Sequence, residues 1–176
     1  MRTAILALGS VLMGDDGVGP TLLAWLEAHW ELPPEVERLD LGTPGPELAD
    51  WLSGREAVIF LDAARLPGAG PGEVRLFSRS ELATLPRGPN LSPHDPGLGE
   101  ALLKAEFAGE GPREAAMVGI VPERIGLGTK LSPAVAAALP AAAEAVVAEL
   151  ARLGHAARRR ERPEPLRAFW TGPAAR

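Results

Sequence analysis

Chemistry in this chain has to be built from oxygen and imidazole. Its 176 residues include no cysteine, which excludes disulfides, iron–sulfur ligation, thiolate zinc sites and cysteine nucleophiles. The remaining candidates are few. Asp15 and Asp16 stand together in Gly9-Ser10-Val11-Leu12-Met13-Gly14-Asp15-Asp16-Gly17-Val18-Gly19-Pro20. Asp62 closes the apolar run Val58-Ile59-Phe60-Leu61, and His94 sits in Ser92-Pro93-His94-Asp95-Pro96.

The glycine-rich stretch is not built for phosphate. A Walker loop needs a lysine before Ser or Thr and the dinucleotide fingerprint needs G-x-G-x-x-G, and neither is present. Two adjacent carboxylates would repel a phosphate from the helix N-terminus and attract a cation instead. Helix capping accounts for one of the pair, because Asp is a preferred N-cap and favours the positive end of the helix dipole. The other is then free for a ligand or for catalysis, and residue type alone does not say which of the two it is. Asp62 is costly to bury without a partner. It either closes the next turn or faces a crevice shared with the first loop. A single loop histidine such as His94 is commonly just solvated, although flanking prolines stiffen it and Asp95 offers a supporting partner. Two carboxylates and an imidazole would form an open metal site suited to zinc, manganese or nickel. Gly42 and Thr43, in Gly42-Thr43-Pro44-Gly45, could line a groove for an extended peptide, although an ordinary turn explains them equally well.

These residues need a frame, and the apolar pattern supplies one. Thr3 to Leu8 reads as a strand, and Val18, Leu22, Trp25, Leu26 and Trp30 then recur at helical spacing. The alternation continues with strands over 36–41, 57–62 and 115–121 and helices over 47–52 and 98–105. A last helix begins at Ser132-Pro133, with Pro140 expected to kink it or delay its start. Residues 73–77 alternate like an exposed edge strand. The fold class is α/β, a three-layer α/β/α arrangement in which a twisted, mostly parallel five-stranded sheet carries helices on both faces. Such sheets place their sites at the carboxyl ends of the strands.

Length and composition bound the rest. Residues 1–154 are read as one domain, and 155–176, rich in Arg and Pro, as a mobile tail. A net charge of −5 argues against nucleic-acid binding. No signal-peptide architecture and no membrane-spanning apolar run is evident, so a soluble, cytoplasmic protein is expected.

Taken together the motifs resemble those of the nickel–iron hydrogenase maturation proteases. The matching pieces run in order: Leu8-Gly9-Ser10 with Gly14-Asp15-Asp16-Gly17-Val18-Gly19, Asp40-Leu41-Gly42-Thr43-Pro44-Gly45, Leu61-Asp62-Ala63, Ser92-Pro93-His94, and Val118-Gly119-Ile120-Val121-Pro122-Glu123. They extend from residue 1 to about 150. The resemblance implies an endopeptidase that removes the C-terminal extension of a hydrogenase large-subunit precursor once nickel is inserted, in a family classed with aspartic peptidases. It implies Asp16, Asp62 and His94 as the metal-contacting residues and Asp16 and Asp62 as the catalytic ones. The nickel comes with the substrate, with no organic cofactor, and the partner is the nickel-loaded precursor rather than a nucleic acid or a membrane. Position 10, where Asn is commoner in that family, holds Ser. Two rivals stand beside this reading. A peptidyl-tRNA hydrolase would need Asn at position 10 and a histidine near position 20, where Ser10 and Pro20 occur. A receiver-like regulatory domain would use Asp15, Asp16 and Asp62 for magnesium and needs a late lysine, for which Lys130 is the candidate.

Overall fold

The computed structural model describes residues 1–84 and 97–166. Strand β1 (Thr3–Leu8) is buried at all six positions, as expected of a parallel strand covered on both faces. It lies between β3 (Val36–Gly42) and β4 (Ala57–Ala63) and is parallel to both. Beyond β4 come β6 (Glu114–Ile120), also parallel, and the antiparallel edge strand β5 (Val74–Ser78). The order is therefore β3-β1-β4-β6-β5.

Alternate residues of the strands feed two separate cores. On one face Ile5, Ala7, Ile59, Leu61 and Val118 pack with α1 (Val18–His29) and α4 (Pro133–Arg152). On the other, Ala4, Leu6, Val58, Phe60 and Met117 pack with the 3-10 segment Gly45–Leu52 and α3 (Leu98–Phe107), and a four-residue α2 (Arg79–Leu82) adds Leu82. This is the expected three-layer arrangement. Because the chain leaves β1 for β3 on one side and returns to β4 on the other, the strand order reverses between β1 and β4. A crevice opens at the carboxyl ends of the strands at such a reversal.

Two expectations change. Pro140 neither delays nor divides α4, which runs unbroken from Pro133 to Arg152. The helix is long and apolar enough by composition to span a bilayer, yet Val135, Leu139, Ala143, Val146 and Leu150 are buried against the sheet and α1. The tail also begins as an anchored segment. His155 is buried and its Nε2 lies 2.8 Å from Thr3 Oγ1, and β7 (Arg158–Arg159) pairs antiparallel with β2 (Trp30–Glu31). The backbone N–H groups of Arg160 and Glu164 donate to His29 and Ala28 carbonyls. Composition hides this because the attachment uses backbone pairing, ion pairs such as Arg158–Glu31 and a single buried imidazole rather than an apolar stripe. Residues 167–176 lie outside the described residues.

Candidate active site

Two glycines bring the first loop down onto the sheet. A Cβ on Gly19 would lie 2.2 Å from the Leu8 carbonyl oxygen and 2.4 Å from that of Leu61, so the first turn of α1 rests directly on the ends of β1 and β4. Gly9 has φ 109°, and a Cβ there would lie 1.9 Å from the carbonyl oxygen of Asp16. The loop after β1 therefore folds back so that Asp16 stands over the strand end from which it started.

The adjacent aspartates have different partners, and the expected helix cap is not among them. Neither caps the helix, since no side-chain cap bond exists at the start of the 3-10 turn Asp15–Gly17 or of α1. Asp15 is buried and accepts three backbone hydrogen bonds from a distant loop: Glu123 N–H and Arg124 N–H at 2.9 Å each and Ser132 N–H at 2.6 Å. Burial alone would raise its pKa, but the N–H groups of Arg124, Ser132 and Glu123 hold it below the usual value. Asp15 is thus a clamp joining the β1 loop to the loop after β6. Sequence spacing of more than 100 residues concealed it; the signal available was that two successive acids exceed one cap.

Asp16 is half-buried, and its Oδ2 accepts the Ser10 backbone N–H at 2.7 Å. The ordering of the loop at position 10 thus runs through the main chain, and the Ser10 hydroxyl merely accepts from Leu12 N–H at 3.4 Å. That explains why a Ser can stand there. Asp62, also half-buried, stands one residue before the end of β4 beside Gly119 of β6, and its Oδ1 accepts the Ala63 N–H at 2.7 Å. Burial pushes its pKa up to about 7, against the Ala63 hydrogen bond, and the charge of Asp16 adds to the rise. The two carboxylates therefore lie near enough at the reversal point of the sheet for the charge of one to act on the other. Among the described residues the second oxygen of each accepts no hydrogen bond. Gly119 is another residue the spacing did not single out: a Cβ there would lie 2.7 Å from Phe77 and 2.8 Å from Ala64.

Gly42 lies on the same rim. Its carbonyl accepts the Gly9 N–H at 2.8 Å, and its φ of 56° turns the chain beyond β3. Thr43 next to it is exposed. His94 lies outside the described residues, and among those described no group of three or more His, Asp or Glu is placed to hold a metal ion. Two carboxylates are suitable donors for a divalent cation.

A sequence model described as hydrogenase maturation protease matches residues 20–149. The chain belongs to the hydrogenase maturation protease family. The Escherichia coli hydrogenase 2 maturation protease is 34% identical over 154 residues, covering 88% of this chain and 93% of that relative. Among solved structures, the hydrogenase maturating endopeptidase HybD from E. coli superimposes with a TM-score of 0.82 at 34% identity, covering 91% of this chain and 98% of HybD. A hydrogenase 2 maturation peptidase from a Thaumarchaeota archaeon does so with a TM-score of 0.63 at 32% identity, covering 88% and 99%. This family member is thus a peptidase of hydrogenase maturation, and neither the peptidyl-tRNA hydrolase nor the receiver-like reading is favoured.

Proposed function

We propose that this peptidase removes the C-terminal extension of a nickel–iron hydrogenase large-subunit precursor after nickel insertion, acting in the cytoplasm. In this reading Asp16, Asp62 and His94 contact the nickel carried by the precursor, and Gly42 and Thr43 line the groove for the chain to be cut. The observation that carries it is the nearness of Asp16, in the loop after β1, to Asp62 near the carboxyl end of the adjacent β4, each with an oxygen not engaged by the described residues. The nickel is part of the substrate and serves as the signal that the precursor is ready. Docking on it fixes the scissile bond against the acid pair, which supplies most of the catalytic advantage as positioning. A carboxylate of the pair is suited to take a proton from water attacking the scissile carbonyl and to return it to the leaving amine. Alternatively, nickel held by Asp16, Asp62 and His94 would supply Lewis-acid polarisation of the carbonyl and activation of a water.

The test is incubation with nickel-loaded and nickel-free precursor. Cleavage of only the nickel-loaded form, lost in His94→Ala, is expected; cleavage that ignored nickel or survived that substitution would sink the proposal. Asp16→Asn that still docks the nickel-loaded precursor without cutting it favours the carboxylate as the water-activating group.

A further inference from the structure

Leu12 and Leu127 are the observation the catalytic reading does not use. They are 60% and 91% exposed, yet neither belongs to a loosely held loop. The β1 loop and the loop after β6 are laced together: Gly128 N–H donates to Leu12 O at 3.0 Å, Gly14 N–H to Gly128 O at 2.7 Å, Asp15 N–H to Arg124 O at 3.2 Å and Gly126 N–H to Met13 O at 3.2 Å. The three hydrogen bonds to the Asp15 carboxylate lock the same two loops from below. Met13 and Gly128 form a parallel bridge, and one residue back along each side stand Leu12 and Leu127, which makes them neighbours across the seam.

Isolated apolar side chains on a surface are ordinary. Two leucines side by side on fixed backbone, one of them in the loop that carries Asp16, are a different matter, because a backbone already held in place loses little conformational freedom when a partner covers it. We infer that Leu12 and Leu127 form an apolar platform that docks the precursor chain next to the bond being cut. The inference rests on the proposed substrate and says where that substrate is held. The occupant follows from continuity with the acid pair. Leu12 is four residues from Asp16 in the same loop, so the platform lies within roughly 14 Å of that carboxylate's backbone. That span admits apolar substrate side chains within about four positions of the scissile bond.

The experiment compares steady-state cleavage of nickel-loaded precursor by the unaltered enzyme, by Leu12→Ser/Leu127→Ser and by Leu12→Met/Leu127→Met. Phe107→Ser serves as a matched control. Phe107 is also 91% exposed but ends α3 close to where β6 begins, at the opposite end of the sheet. The serine pair is expected to raise KM at least tenfold, about 1.4 kcal/mol, with little change in kcat or melting temperature. The methionine pair and Phe107→Ser should keep the original KM. An unchanged KM in the serine pair, or an equal rise in Phe107→Ser, overturns the platform. Failure of the unaltered enzyme to cut the precursor overturns the proposed substrate instead.

Discussion

Replacing Asp62 by Asn should make the protein more stable at neutral pH while abolishing cleavage. The Asp62 pKa rises in the folded chain from an ordinary 3.8 to about 7, first because burial disfavours the carboxylate and then because Asp16 repels it. Between those two values the folded chain binds more protons than the unfolded one, so this group makes stability fall as pH rises through the window. At about 1.4 kcal/mol per pH unit the difference reaches ~4 kcal/mol above pH 7. Partial exposure screens the half-buried group, and a gain of about 1–3 kcal/mol is the realistic expectation. Asn keeps an oxygen for the Ala63 N–H and replaces a like charge with a donor facing Asp16, so the exchange leaves no obvious new defect. For a chain of this length the gain corresponds to a rise in Tm of roughly 2–12 °C. The assay is thermal unfolding of both proteins in a chelating buffer from pH 4 to 8. The Tm difference should be near zero at pH 4, grow through the window and level off above pH 7. A variant less stable than the parent at pH 8, or a difference independent of pH, would refute an energetically unfavourable acid pair.

Asp15 should behave in the opposite sense. Asp15→Ala leaves three buried N–H groups without their acceptor and should cost at least 3 kcal/mol by denaturant unfolding. Because its pKa is lowered by folding, the stability it provides is present at neutral pH and fades as pH falls below its ordinary value. Gly19→Ala should cost about 3 kcal/mol and displace the first loop, since the new methyl group meets two main-chain carbonyls that have little room to move; a Tm within 2 °C of the parent would contradict that packing. On the C-terminal segment, His155→Ala should lower stability by about 2 kcal/mol, because it removes a buried ring and its bond to Thr3. Arg158→Ala, which breaks an ion pair on an arginine 80% exposed, should leave the Tm almost unchanged.

Periodicity was sufficient for the layers. The apolar runs that became β1 and β4 announced strands buried on both faces, and strand–helix alternation then required parallel crossovers with a site at the carboxyl ends. The position of Asp62 at the end of such a strand is a one-dimensional fact, legible in the sequence. The family resemblance, carried by short motifs in a fixed order, named the activity and preferred Asp16 to Asp15. Sequence could not say what Asp15 does, because its three partners are backbone groups more than 100 residues away and main-chain donors carry no side-chain signature. Nor could it show the glycine contacts at positions 9 and 19, which depend on how closely one element approaches another. The tail shows the same limit: a chain with little apolar content reads as unattached until backbone pairing with Trp30–Glu31 is seen. Local patterns determined which elements form and what they carry. Only the tertiary structure decided which acid is the clamp, because both are Asp in adjacent positions and differ solely in what the fold places around them.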